Sequence, residues 1–437
     1  MKLTKWHRRA VLGAAAALLV AACGGNGGSG GGGTGGDAGS GGAVTIDWWH
    51  IQNQEPMLGI WKAMAAEYQK QHTNVTIKIT SLENEAFKAR LTTVTQAGTP
   101  PDLFHTWGGG VLKQQTEAGL TKDITDDLAD IADTFTPTAL LPYQIDERTY
   151  GVPFDVGMVG FWYNKKLFAQ AGVTQPPETW AEFLDVVRKL QAAGITPIAL
   201  GGKEKWPGHF YWAYLAIRVA GVDALKQAES DGKFDAPEFV EAGARLKELV
   251  DLQPFQKGFL GAPFGSPDGQ SAFVGNGKAA MELMGQWAPG EQRNSSANKK
   301  GLGEDLGFFP FPAVDGGKGT VTDVFGGGGG FAVGRDAPPE AADFLKFISS
   351  VENQRKAAAA GGLLPVVKGA EDAVKEPSQK MVVDQLAKAT KFQLYLDQAY
   401  APEVGQTVND SVAALIAGQS SPEDVAKAIT DAAQSAQ

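Results

Sequence analysis

The stretch from Val44 to Phe104 constrains the fold most. Val44-Thr45-Ile46-Asp47-Trp48 alternates apolar and polar residues and predicts a strand. Met57 to Gln71 carries Ile60, Trp61, Met64, Ala65 and Tyr68 at helical spacing. Val75 to Thr80 alternates again, Glu85 to Gln96 has helical character, and Pro100-Pro101-Asp102-Leu103-Phe104 opens a short buried strand. This β-α-β-α-β order calls for a mostly parallel sheet covered by helices, because parallel neighbours need a crossover between them. A similar pattern starts near Val152. Thr179-Trp180-Ala181-Glu182 forms a capping box, and Trp180, Phe183, Leu184, Val187 and Leu190 make one apolar helix face. Gly194 ends that helix, and Ile195 to Leu200 predicts the next strand. Ser421-Pro422-Glu423-Asp424 marks a further helix start. Two α/β lobes are the expected outcome.

The N-terminus has a different character. Lys2, Lys5, Arg8 and Arg9 precede an apolar stretch, Val11 to Val20, too short to span a bilayer as a permanent helix. Val20-Ala21-Ala22-Cys23 then resembles a bacterial lipobox. Residues 1–22 are expected to be a lipoprotein signal peptide and Cys23 the lipid attachment site. Cys23 is the chain's single cysteine, and a lone thiol in an exported protein otherwise has no evident use. Arg8-Arg9 leaves both Sec and twin-arginine export open. Two or three acyl chains anchor stably where one does not. The glycine-dominated residues 24–42 cannot bury apolar surface, so residues 23–42 are expected to act as a tether with an r.m.s. span of about 25 Å.

Charge narrows the partners. The formal net charge is −10, and losing the four N-terminal cations with the signal takes it to about −14. No Lys/Arg cluster suits a phosphate backbone, so nucleic acid is excluded as a partner class. The five histidines, at 7, 50, 72, 105 and 209, have no metal-ligand spacing. Gly326 to Gly330 lacks the Lys-Ser/Thr of a phosphate loop and marks a turn or a close backbone approach. No Gly-x-Ser-x-Gly elbow is present. No cofactor is expected, and scattered carboxylates leave a structural calcium open.

Four aromatic-polar clusters stand out: Trp48-Trp49-His50, Trp107-Gly108-Gly109-Gly110, Trp206 to Trp212, and Gly285-Gln286-Trp287. At least three fall at predicted C-terminal strand ends, where parallel α/β sheets bind ligands. Flat indole faces suit the C–H sides of sugar rings, with polar side chains at the rim serving the hydroxyls. Trp48, Trp61, Trp162 and Trp180 sit in regular patterns and are expected in the core. Trp107, Trp206, Trp212 and Trp287 lie near Gly or Pro in predicted loops and are expected to touch ligand.

Together the lipobox, Pro100 to Phe104, Gly151 to Asp155 running on to Tyr163 to Phe168, Gly277 to Met281 and Phe331 to Val333 resemble the extracellular sugar-binding lipoproteins of ABC importers, of the maltose-binding-protein type. The resemblance implies an α/β, two-lobed periplasmic-binding-protein-like fold of type II with three interlobe crossings, placed near Val152, Met284 to Trp287 and Phe331 to Arg335. Lobe one would be 43–152 plus 288–332, and lobe two 153–287 plus 333–437. It further implies a non-enzymatic monomer on the outer face of the cytoplasmic membrane of a monoderm bacterium. An oligosaccharide would be captured in the cleft and delivered to an ABC permease driven by a cytoplasmic ATPase. The segment Gly201 to Trp212 is similar to that of xylobiose- and xylo-oligosaccharide-binding lipoproteins. Carried over, Trp107, Trp206, Trp212 and Trp287 would stack on sugar rings, and His50, Gln54, Glu83, Asp155, His209 and Gln286 would hydrogen-bond to them. Another di- or oligosaccharide stays open as cargo. A membrane-anchored glycoside hydrolase and an adhesive surface lipoprotein are the readings of different class.

Overall fold

The computed structural model describes residues 42–437; the expected signal peptide, Cys23 and most of the tether lie outside the described residues. The strands in chain order are β1 (Val44–His50), β2 (Val75–Ser81), β3 (Leu103–Thr106), the short hairpin β4 (Gln144–Ile145) and β5 (Arg148–Thr149), β6 (Gly151–Pro153) and β7 (Gly157–Met158). There follow β8 (Gly160–Asn164), β9 (Thr196–Ile198), β10 (Ala279–Met284), β11 (Leu306–Phe309), β12 (Asp323–Gly327), β13 (Gly330–Val333) and β14 (Lys391–Leu394). One sheet runs β2-β1-β3-β13-β6 and a second β11-β8-β10-β9, with a small sheet β14-β12-β7 beside the latter. The chain has the α/β two-lobed periplasmic-binding-protein fold.

Local chemistry explains the elements. The helix Met57–Gln71 buries Trp61, Met64, Ala65 and Tyr68, the spacing seen in the sequence. Thr179 and Glu182 close the capping box of the helix Trp180–Ala192, and Ser421 with Asp424 does the same for Pro422–Ser435. Gly194, at φ +72°, stops the former. Trp48, Trp61, Trp162 and Trp180 are all buried. In the first lobe Trp48 meets Trp61, Phe331 and Phe344 edge-on at 5.6, 5.2 and 5.1 Å, the geometry that ring quadrupoles favour. In the second, Arg218 is fully enclosed and donates to the carbonyls of Phe311, Pro312 and Asp323.

Pairing departs from expectation in two respects. The sheets are mixed: β1 is parallel to β2 and β3, but β13 runs antiparallel to β3 and β6, and β10 is antiparallel to β8. Strands that arrive from the opposite lobe need no crossover helix and can enter antiparallel. Second, β11 pairs with β8, so the chain stays with the second sheet after β10 instead of crossing at Met284 to Trp287. The helices Pro339–Ser349 and Val351–Ala359 pack on Met57–Gln71, so residues beyond 333 do not all join lobe two. The connections between sheets fall at 154–156, at 328–329 and between 374 and 376.

Candidate functional site

The first two connections run side by side between the lobes. A Cβ on Gly328 would collide with the Asp155 carbonyl oxygen, so the glycine run is a close backbone approach. Asp155 sits in this joint. One carboxylate oxygen accepts from Gln286 Nε2 at 2.7 Å and the other from the Leu364 N–H at 2.8 Å. Burial pushes this carboxyl up to about 7, against the pull of both bonds. Trp107, Pro142, Tyr143, Asp155, Gly327 and Gly328 line a narrow cavity here together with β14.

Elements from both lobes converge on this floor. β3 ends at Thr106, and Gly108 at φ +74° turns the chain after Trp107. The Lys88 ammonium lies 5.3 Å from the Trp107 ring centroid and 3.5 Å from Glu85. From the other side β10 delivers Gln286 and then Trp287, which precedes the helix Ala288–Ser295 and meets Tyr395 at 6.1 Å. The helix Trp206–Ala220 starts at Trp206, whose ring packs against Phe264 at 5.1 Å. Lys205, before it, holds φ +66°, a strained backbone for a side chain with a Cβ, and pairs with Asp410 at 2.7 Å. Glu204 accepts from the Phe264 N–H at 3.1 Å, and burial raises its carboxyl. At one end of the cleft Gln54 donates to Glu291 at 3.2 Å and Asn294 to the Glu55 carbonyl at 3.0 Å. At another, Gly109 and Gly110 abut the backbone of Gln398 to Tyr400.

Of the residues expected at the site, Trp107, Asp155 and Gln286 come together at the floor. Trp206, Trp287 and Gln54 stand on the walls, each partly exposed. Three do not fit a ligand-contact role. Trp212 is fully buried on its helix with its ring near Phe239, because that helix is enclosed on every side. His209 is equally enclosed, against Phe210 and Phe325. His50 packs edge-on to Trp48 at 4.9 Å, and desolvation, then Lys62, lowers it to about 4, so it is a neutral core ring. Glu83 is exposed and caps the helix Asn84–Gln96, its Oε2 accepting from the N–H groups of Glu85 and Ala86. Tyr143, Tyr395 and Glu291 had no local signal; the fold brings them in from distant segments.

Among the described residues no cluster of three metal-ligating side chains occurs, and no helix is long and apolar enough to cross a membrane. The paired groups at the floor are a carboxyl and an amide. This arrangement presents donors, acceptors and ring faces suited to holding a polar solute.

Comparison with known proteins agrees. The profile of the bacterial extracellular solute-binding proteins matches residues 53–355, more than half of the chain. An uncharacterized ABC transporter extracellular-binding protein of Pyrococcus horikoshii is 27% identical over 398 residues, 88% of this chain and 85% of its own length. A solved chitin oligosaccharide binding protein superposes with a TM-score of 0.82 at 28% identity, covering 92% of this chain and 99% of that one. A structure from work on xylan utilization by Caldanaerobius polysaccharolyticus gives 0.80 at 27% identity, with 89% and 99% covered. The chain belongs to the bacterial extracellular solute-binding proteins, a family that binds cargo and is not enzymatic.

Proposed function

We propose that this protein is the sugar-binding component of an ABC transporter, taking an oligosaccharide into the interlobe cleft and handing it to the permease. The observation that carries this reading is the set of partly exposed indoles, Trp107, Trp206 and Trp287, around the Asp155–Gln286 pair. Ring faces would stack on pyranose C–H groups while the carboxyl and amide serve hydroxyls. Closure of the lobes on the sugar would bias the population toward the form that docks. The lobes would follow the strand partners, 43–154 with 330–373 against 157–327 with 377–437. Cys23 would carry lipid, tethering a monomer outside the cytoplasmic membrane.

For cargo, xylobiose and xylo-oligosaccharides are the first reading, supported by Gly201 to Trp212 and by the likeness to the xylan-utilization structure. Chitin oligosaccharides are the second, since the chitin oligosaccharide binding protein is as similar. Calorimetric titration with xylotriose and with diacetylchitobiose decides between them. Saturable heat with the xylo-sugar alone supports the first reading; heat with the chito-sugar alone replaces it with the second.

A further inference from the structure

The second lobe holds a buried carboxylate that faces no cation among the described residues. Glu282, on β10, is fully enclosed. Its Oε2 accepts from Gln270 Nε2 at 2.8 Å and its Oε1 from Gln292 Nε2 at 2.7 Å. Both glutamines are themselves about as buried as the strand. Gln270 Oε1 in turn accepts from the Gly201 N–H at 2.6 Å. Three segments thus meet at one carboxyl. Gly201 leads into Glu204 and Trp206. Gln270 and Ser271 bond through their N–H groups to the carbonyls of Pro263 and Phe264, holding the loop on which Trp206 rests. Gln292 sits in the helix that begins after Trp287 and includes Glu291.

We infer that Glu282 is the positioning residue of the second lobe's cleft wall, orienting Gln270 and Gln292 and through them the segments bearing Trp206, Phe264, Trp287 and Glu291. A carboxylate only accepts, so it turns the amide nitrogens of both glutamines inward. That leaves Gln270 Oε1 pointing at Gly201, the orientation its N–H requires. Burial without a cation raises the Glu282 carboxyl to about 7, a cost in solvation that a purely apolar strand residue would not carry. An apolar side chain at 282 would strand two buried amides and release both glutamines. Glutamine at 282 would not: its carbonyl can serve Gln270, and its amide can face a turned Gln292, whose Oε1 has no partner among the described residues.

The inference rests on the reading of the cleft as the sugar site, and its test separates the two. Wild type, Glu282→Leu and Glu282→Gln are compared as full chains by hydrogen exchange and by titration with the oligosaccharide that wild type binds. Glu282→Leu should weaken binding about tenfold or more, as loss of a supporting shell does, and hasten exchange in 199–206, 262–272 and 287–295 only. Glu282→Gln should stay within about threefold of wild type, because it keeps the hydrogen-bonding pattern. Should Glu282→Leu fail to fold, Gln292→Met carries the same expectation for 287–295. Unchanged affinity and exchange in the leucine variant would overturn the inference. So would exchange hastened evenly over both lobes, or a glutamine variant as impaired as the leucine one. If wild type binds no oligosaccharide, the sugar reading fails, while the local or uniform pattern of exchange still decides the positioning role.

Discussion

Replacing Trp212 and Trp287 by alanine, one at a time, separates packing from recognition. Both follow a glycine by a few residues in the sequence, yet Trp212 is fully buried while Trp287 is partly exposed at the cleft. The Trp212 indole nitrogen has no partner among the described residues, so the substitution loses packing and no hydrogen bond. Truncating such a core ring costs about 3–5 kcal/mol, the transfer free energy plus the cavity left behind. Trp287→Ala removes a platform instead. A pyranose covering roughly 80 Å² of indole at about 25 cal/mol per Å² gains about 2 kcal/mol, or about thirty-fold in Kd. Urea unfolding and calorimetric titration read the two quantities independently. Trp212→Ala should lower the urea midpoint strongly and leave affinity near wild type while folded. Trp287→Ala should do the reverse. If Trp212→Ala kept its stability and lost its sugar, the burial argument for that helix would be wrong.

Three further outcomes follow from the geometry. Arg218→Leu strands the carbonyls of Phe311, Pro312 and Asp323 and should cost about 3–5 kcal/mol in urea unfolding, the usual penalty for breaking a buried charged network; a loss below 1 kcal/mol would contradict it. Asp155, Glu282 and Glu291 are each raised to about 7 by burial, so the folded chain keeps protons that the unfolded chain has released, and stability falls as pH rises from the ordinary carboxyl range through 7. His50 and His105 are lowered by burial and act in the opposite sense below about 6.5. Between pH 6.5 and 8 the carboxyls therefore dominate. The melting temperature should rise on going from pH 8 to 6.5 and should rise less in Asp155→Asn; a flat profile in wild type would refute this. Gly328→Ala forces a Cβ against the Asp155 backbone and should cost about 1–3 kcal/mol, checked by thermal melting; an unchanged melting temperature would show that the two connections can part freely.

Much of the fold was legible because it depends on local pattern. The alternation of Val44 to Trp48, the helical spacing from Met57 to Gln71 and the two capping boxes each act within one element, and each appears where the pattern put it. The lobe assignment of 288–332 was not legible, because β11 chooses β8 across more than a hundred residues and nothing local marks that partner. Trp212 departs from expectation for a different reason. Pro207 and Gly208 suggested a loop, but proline in the first turn is a helix start, and the helix it opens is buried all round. In the sequence His50 and His209 are polar groups suited to a ligand, whereas burial makes them neutral rings. The Asp155–Gln286 pair was legible as two candidates, while their 2.7 Å contact is a product of the tertiary fold.

The proposed function requires that oligosaccharide bind at the cleft formed by Trp107, Trp287 and the Asp155–Gln286 pair. The most direct measurement is a thermal-shift panel of xylobiose, xylotriose, diacetylchitobiose, maltose and cellobiose, run on wild type beside a Trp107→Ala/Trp287→Ala variant. A bound sugar at 100 times its Kd adds about 2.7 kcal/mol to folding stability. A clear rise is expected for wild type with at least one oligosaccharide, and little or none for the double variant. An equal rise in both would place the sugar elsewhere, and no rise in wild type with any of the five would contradict the sugar-binding reading itself.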